Sequence, residues 1–213
     1  MTQKKIKAIV FDLDGTIADT FHIGIQAANQ LASKYKYNKI EDSPVIRDLS
    51  FKEFLASHLK LGKIRLLLWA REIKRIIAHK YDDVEIFPGI KELLEELNKD
   101  YSLGVLTSNS TDNAMTILKN NGIDHFFGFM YTNCSAFGKS RYIKKLIKTE
   151  KYKKEDIIYV GDEIRDVDAC KTVGIKIIAV TWGANSAKTL LDAGSNYFAY
   201  KPWDITQILN NMV

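Results

Sequence analysis

This chain has little cysteine, no long apolar run and no strong excess of one charge. Its two cysteines, Cys134 and Cys170, have no metal-type spacing. That excludes a cysteine-built metal site and fits a reduced, cytoplasmic protein. The start, Met1 to Ile6, lacks the long apolar core of a signal peptide. The most apolar segment, Lys63 to Ile77, contains Leu66-Leu67-Leu68-Trp69. It is interrupted by Arg65, Arg71, Glu72, Lys74 and Arg75, so it is too charged and too short to span a bilayer. An amphipathic helix packed inside the protein is the expectation, with no membrane partner. Net charge is +5, from 31 Lys+Arg against 26 Asp+Glu, with no compact basic block interleaved with aromatics. Nucleic-acid binding is therefore not expected, whereas an anionic small substrate and a plain solvated surface both fit.

What is present is enough apolar material for a sizeable core. Hydrophobic residues make up 46% of 213 positions, which excludes a wholly disordered chain. The length suits one core domain with a smaller insertion. Short β-branched or apolar runs predict strands over Ile6–Phe11, Ser102–Leu106, Gly128–Tyr131, Ile157–Val160 and Lys176–Val180, with a sixth over Asn196–Ala199. Helical patterns alternate with them over Ile90–Lys99, Asp112–Asn121, Ser140–Thr149, Ile164–Val173 and Ser186–Ala193. Strand then helix, repeated, predicts an α/β fold with a parallel sheet covered on both faces. Gly122 and Gly174 stand just past two of the helices, where left-handed caps are expected.

The interval from Thr20 to Glu85 breaks this rhythm. It holds no convincing strand, and apolar residues recur at helical spacing over Phe21–Lys34, Phe51–Leu61 and Ile64–Ile77. This predicts a helical insertion at 20–85, with 1–19 and 86–213 forming the α/β core. Phe87-Pro88-Gly89 returns the chain to that core.

The chemistry begins where the first strand ends, in Phe11-Asp12-Leu13-Asp14-Gly15-Thr16. Two carboxylates two residues apart raise each other's pKa unless a cation or hydrogen bonds compensate. The pair points to a divalent cation, a nucleophilic carboxylate and a phosphoryl group. Ligands of open α/β sheets bind beyond the carboxyl ends of the strands. Three more signals fall there or at the helix starts that follow. Thr107-Ser108-Asn109-Ser110-Thr111 can hold phosphate oxygens or serve only as a helix cap. Lys139 opens a helix, where the helix dipole disfavours a cation; it either neutralises an anion or is merely solvated. Gly161-Asp162-Glu163-Ile164-Arg165-Asp166 puts Asp162 and Asp166 on one helix face, with Asp162 favoured as a ligand for Mg²⁺.

Together these motifs run in one order along successive strands: Asp-x-Asp, Ser/Thr, Lys, then Gly-Asp-x-x-x-Asp. In this the chain closely resembles the haloacid dehalogenase superfamily, and most nearly its phosphoglycolate phosphatase-like branch, over nearly its whole length. The resemblance implies a Rossmann-like parallel core with a helical cap inserted after the first strand. It implies Asp12 as nucleophile, forming an aspartyl-phosphate, and Asp14 as general acid and then base. Thr107 and the Ser108 N–H would hold the phosphoryl group, and Lys139 would offset charge on it and on Asp12. Asp12, the Asp14 carbonyl and Asp162 would bind Mg²⁺, while Asp166 would orient Lys139 or a metal-bound water. Ser140 stands where the family often has proline after the lysine. Family members that cleave carbon–halogen or phosphonate bonds lack a carboxylate at the position of Asp14, so phosphate ester chemistry is implied.

The expected activity is Mg²⁺-dependent hydrolysis of a small phosphorylated metabolite, phosphoglycolate among the candidates. A phosphomutase using the same intermediate and a non-catalytic binding or regulatory protein on the same fold are the alternatives. Cap residues His22, Arg47, Lys52 and His58 are candidate substrate contacts or ordinary polar residues. Thr181-Trp182-Gly183-Ala184-Asn185 either lines the entrance or is a packing turn. A monomer and a homodimer both remain open.

Overall fold

The computed structural model describes residues 6–78, 80–135 and 138–212. Met1 to Lys5, read above for a leader, and Phe137, next to the lysine motif, lie outside them. Six strands form one sheet: β1 (Ala8–Phe11), β2 (Ser102–Leu106), β3 (Phe127–Tyr131), β4 (Ile157–Gly161), β5 (Lys176–Val180) and β6 (Tyr197–Ala199). Their order is β3-β2-β1-β4-β5-β6, and every pair is parallel. β1 is therefore central, and the chain reverses direction across the sheet on either side of it.

The strand sequences explain their burial. Side chains alternate across a strand, so a strand covered on both faces must be apolar throughout. In β1, Ile9 and Phe11 point to one core cluster while Ala8 and Val10 point to the other. The first face packs on α5 (Ile90–Leu97), α6 (Thr111–Asn120) and α10 (Pro202–Asn211), through residues such as Leu93, Ile117 and Ile205. The second packs on α7 (Lys139–Thr149), α8 (Ile164–Val173) and α9 (Ala187–Asp192), through Ile143, Val167 and Leu190. Gly174 ends α8 at φ 81° with its N–H on the Cys170 carbonyl, the left-handed cap expected from the sequence.

α10 was not foreseen by the periodicity. Its local signals are nevertheless plain. Pro202 occupies the first turn, and Asp204 accepts from the Tyr200 and Lys201 N–H groups at 2.8 and 3.1 Å. Ile205 and Leu209, one turn apart, carry its burial. A two-residue apolar stripe is too short to stand out in a periodicity scan.

The helical insertion contains α1 (Phe21–Tyr35), α2 (Pro44–Arg47), α3 (Phe51–Phe54) and α4 (Lys63–Ala78). Ser50 and Glu53 form a reciprocal capping box at the start of α3. The segment expected as one helix over Phe51–Leu61 instead widens into a π turn at Leu55–Leu59, which Lys60 closes at φ 49°. Ala28, Leu31, Tyr35, Leu59 and Trp69 gather into a cluster of their own, separate from both sheet clusters. Only Trp69 is fully buried among the residues of α4, so this helix rests on the insertion along a narrow stripe.

Two chain segments connect the insertion to the core, and they run side by side. Ala18 bridges both Asp14 and Ile86, and the Asp19 N–H donates to the Glu85 carbonyl at 3.0 Å. The Phe87 N–H returns to the Ile17 carbonyl at 3.0 Å. This pairing brings residues 81–87 to the end of β1.

Candidate active site

The central position of β1 decides the site. Its neighbours are β2 and β4, so the carboxyl ends of these three strands lie together. Asp12 follows β1, Thr107 follows β2 and Asp162 follows β4, while α7 brings in Lys139 and α8 brings in Asp166. Asp12, Thr107, Lys139, Asp162 and Asp166 are all buried. Strand ends place these side chains rigidly because parallel hydrogen bonding on both flanks fixes the backbone.

Lys139 donates to Asp12 Oδ2 and to Asp166 Oδ1. Both contacts are ion pairs with almost no solvent access. Burial alone would strip charge from the ammonium, but the carboxylates of Asp12 and Asp166 outweigh it and push the Lys139 pKa well up. The Tyr159 ring also lies 5.8 Å from the ammonium. Asp12 Oδ1 accepts the Leu13 N–H at 2.9 Å. Even so, burial raises the Asp12 pKa to about 7, with Lys139 opposing the rise and Asp166 adding to it. The lysine read as either neutralising or solvated is thus neutralising.

Asp162 is held differently. The Thr16 hydroxyl donates to Oδ1 at 2.8 Å, and the Ala184 N–H donates to Oδ2 at 2.7 Å. Burial, then the charges of Glu163, Asp12 and Asp166, push its pKa well above the usual carboxylate range. Among the described residues it has no ion-pair partner. Carboxylate oxygens of Asp12, Asp162 and Asp166 all lie within 4.8 Å of one another. One lysine stands against these three carboxylates and pairs with two of them, so ionised Asp162 lacks a counter-ion among the described residues. The donor set is hard oxygen only, which fits a cation such as Mg²⁺. Asp166 meanwhile is engaged twice over, by Lys139 and by the Glu163 N–H at 3.2 Å.

Two glycines make room for Asp162. Gly15 turns at φ +72°, and a Cβ there would overlap the Asp162 carboxylate. A Cβ on Gly183 would overlap both the Asp162 side chain and the Gly15 carbonyl. Because one of those neighbours is backbone, relaxation is costly. Gly183→Ala is expected to displace Asp162. It should weaken divalent-cation binding at this carboxylate at least about tenfold, with destabilisation of about 1–3 kcal/mol. Metal titration together with thermal melting checks this, and an unchanged metal affinity would contradict it.

Within the Thr107–Thr111 run the residues take different parts. Ser110 caps α6 by accepting from the Asn113 N–H at 3.3 Å. Thr107 is buried at the end of β2, its hydroxyl accepting from the Asn109 N–H at 3.1 Å. Ser108 is half-buried beside it. Asn109, within that run, takes a part the sequence does not announce: its side-chain amide donates to Asp14 Oδ2 at 2.9 Å. Its Oδ1 accepts from the Tyr81 hydroxyl at 2.6 Å. Thr20 also hydrogen-bonds the Asp14 carboxyl, whose pKa burial raises. The Asp14 carboxyl is thus outside the Asp12–Asp162–Asp166 cluster.

The Trp182-Gly183 turn is a packing turn with a further use. Trp182 Nε1 donates to the Thr16 carbonyl at 3.1 Å, and its ring meets Phe87 edge-on. Asn185 accepts the Ile164 N–H through Oδ1 and donates to the Arg47 and Leu49 carbonyls. Arg47 in turn donates to the Gly183 carbonyl, pairs with Asp42 and lies over the Phe21 ring. Of the four polar residues singled out in the insertion, Arg47 reaches the core. His22 pairs with Asp19 at 3.4 Å, and His58 contacts the Ser57 hydroxyl. For Lys52 the structure supplies no role at the site. Glu163 pairs with Arg165, and Lys171 donates to the Ala193 carbonyl.

The model of the haloacid dehalogenase-like hydrolase family matches residues 9–180. A phosphoglycolate phosphatase of Synechococcus elongatus is 30% identical over 98% of this chain and 99% of its own length. Pyrophosphatase PpaX of Bacillus velezensis is 28% identical over 98% of each chain. Among solved structures, a haloacid dehalogenase-like hydrolase from Streptococcus pneumoniae superposes with a TM-score of 0.80. It is 30% identical, over 98% of this chain and 99% of that one.

Proposed function

This chain belongs to the haloacid dehalogenase-like hydrolase family, as a phosphatase, and from that premise we propose that it hydrolyses a small phosphorylated metabolite with Mg²⁺. The observation that carries this reading is the buried Asp12–Lys139–Asp166 ion-pair chain lying against Asp162. A phosphoglycolate phosphatase among the full-length relatives supports phosphoglycolate as the substrate to test first.

In this reading Asp12 attacks phosphorus. One carboxylate oxygen forms the O–P bond, the bond to the leaving oxygen breaks, and Asp14 gives that oxygen its proton. Asp14, now a carboxylate, then takes a proton from water. The water oxygen attacks phosphorus, the bond to Asp12 breaks, and phosphate leaves. Lys139 keeps a positive charge beside Asp12 throughout, so a carboxylate can approach an anionic phosphoryl group. The Thr107 hydroxyl and the Ser108 N–H donate to phosphoryl oxygens, and Asp166 anchors Lys139. Asp12, Asp162 and the Asp14 carbonyl would hold Mg²⁺, which would supply charge neutralisation of the phosphoryl oxygens.

The division into a core of 1–19 and 86–213 and a cap of 20–85 belongs to the same proposal. The separate cluster around Leu31, Leu59 and Trp69 supports it. The contacts of Arg47 and Asp48 with Gly183, Asn185 and Ser186 supply a place where such a cap rests on the core. Among the described residues, no helix is long and apolar enough to cross a membrane.

A panel of phosphorylated metabolites, assayed with Mg²⁺ and with EDTA, tests the activity. Turnover of phosphoglycolate or a similar small phosphate is expected, and none is expected with EDTA. The absence of Mg²⁺-dependent turnover on every member would overturn the reading. Stability offers a second check. Metal-free, the Asp12 carboxyl titrates at about 7, above its unfolded value. A raised carboxylate pKa contributes stability at low pH, and this is lost as pH rises through about 7. Bound Mg²⁺ requires the deprotonated form. The melting-temperature gain from Mg²⁺ is therefore expected to be larger at pH 8 than at pH 5.5, and a gain independent of pH would contradict it.

A further inference from the structure

One hydrogen-bonded chain at the site has no place in the chemistry so far. It starts in Tyr81, within a 3₁₀ turn at Tyr81–Asp83 that follows α4. The Tyr81 hydroxyl donates to Asn109 Oδ1 at 2.6 Å, and Asn109 Nδ2 donates to Asp14 Oδ2 at 2.9 Å. Both bonds run in the same direction, hydroxyl to amide to carboxyl, so their dipoles add.

We propose that Tyr81 and Asn109 are positioning residues for Asp14, holding its carboxyl so that the remaining oxygen delivers the proton to the leaving group. This rests on the reading of Asp14 as the general acid.

Each link is built to be rigid. Tyr81 is 7% exposed and packs into the sheet cluster with Val84 and Ala114, so its ring cannot swing away. Burial, then the charge on Asp14, pushes the Tyr81 pKa up, which keeps the hydroxyl a donor. Asn109 is tied at both ends of its backbone: its N–H donates to the Thr107 hydroxyl, and its carbonyl accepts the Asn133 N–H at 2.6 Å. With the amide oxygen committed to Tyr81, its NH₂ must face Asp14. One carboxyl oxygen is thereby fixed as acceptor, and the plane of the group is set. A proton donor must meet its target at about 2.6–3.2 Å to be effective, so a carboxyl free to rotate would be a poorer acid. The chain also ties the acid to the segment that closes the helical insertion, because Tyr81 lies five residues before Ile86 and its pairing with Ala18.

The readout that separates positioning from structure is the leaving group. Departure of an alkoxide needs a proton, whereas departure of nitrophenolate needs little help. kcat/KM covers the steps through the release of the leaving group, so the later attack by water does not blur the comparison. We would measure kcat/KM for p-nitrophenyl phosphate and for an alkyl phosphate that the enzyme turns over. Wild type, Tyr81→Phe, Asn109→Ala and Asp14→Asn are compared. Asn109→Ala is expected to lose about tenfold or more on the alkyl phosphate beyond its loss on the aryl one, within the range general acid catalysis supplies. Tyr81→Phe should lose in the same direction by about threefold or more. Tyr81→Phe keeps the packed ring, so it carries the test even where Asn109→Ala does not fold. Equal losses on both substrates, with Asp14→Asn still discriminating between them, would overturn the proposal and leave the acid reading intact. An Asp14→Asn enzyme that loses equally on both would remove Asp14 as the acid, and the proposal with it.

Discussion

Asp12→Asn is expected to abolish Mg²⁺-dependent phosphate release, by about 10³-fold or more in kcat/KM, equivalent to about 4 kcal/mol in the barrier. The amide keeps the shape of the carboxyl, but it cannot form an acyl phosphate and offers a hard cation only an uncharged oxygen. Folding should survive. Asp12 is a carboxylate whose charged form burial disfavours, with a pKa raised to about 7, so a neutral isostere relieves that cost. Lys139 retains Asp166 as its partner. A melting temperature equal to or above that of wild type, together with lost activity and lost phosphoryl-enzyme trapping, is the expected combination. A variant that keeps more than about a tenth of its activity would remove Asp12 as the nucleophile.

Lys139→Met should damage both function and stability. The ammonium is buried between Asp12 and Asp166, and breaking a buried pair by removing one partner costs about 3–5 kcal/mol. Here two carboxylates would face each other with no cation between them. Activity is expected to fall at least as far as a lost electrostatic clamp implies, about 10²–10³-fold. The stability loss should depend on pH in a definite sense. With Lys139 gone the Asp12 pKa rises further, so its protonated form persists to higher pH and the deficit is smaller at pH 5 than at pH 8. Adding Asp166→Asn removes one of the stranded charges. The double variant should recover much of the stability and none of the activity. Recovery of activity in the double variant would show that Lys139 acts only as a structural counter-ion.

The strands and helices of the core were legible because each has a period that burial on both sheet faces demands. β1 is apolar at all four positions, and its two faces lead to two different clusters. α10 was missed because its buried stripe is only Ile205 and Leu209, although Pro202 and Asp204 mark its start. In the insertion, Ser50 and Glu53 announce a helix start, but the π turn at Leu55–Leu59 has no sequence signature. Tyr81 was not legible as a site residue at all. Nothing in its neighbours announces chemistry, and its distance from Asn109 in sequence is closed by the pairing of residues 85–87 with 17–19 and by Asn120 and Asn121 at the end of α6, whose amides donate to the Asp82 and Val84 carbonyls.

The sequence by itself determined the ingredients: which strands carry carboxylates at their ends, which helix opens on a lysine, and where glycines permit a sharp turn. These are local properties, written in periodicity and in neighbouring residue types. The tertiary structure alone decided how the charges share one another. Lys139 sits between Asp12 and Asp166 and not beside Asp162 because strand order puts β1 between β2 and β4 while α7 and α8 cover the same face. The same placement separates Asp14 from Asp12, two residues away in sequence, and gives it to Asn109 and Thr20. Electrostatics depends on distance and burial, and neither can be read along a chain until the chain has folded.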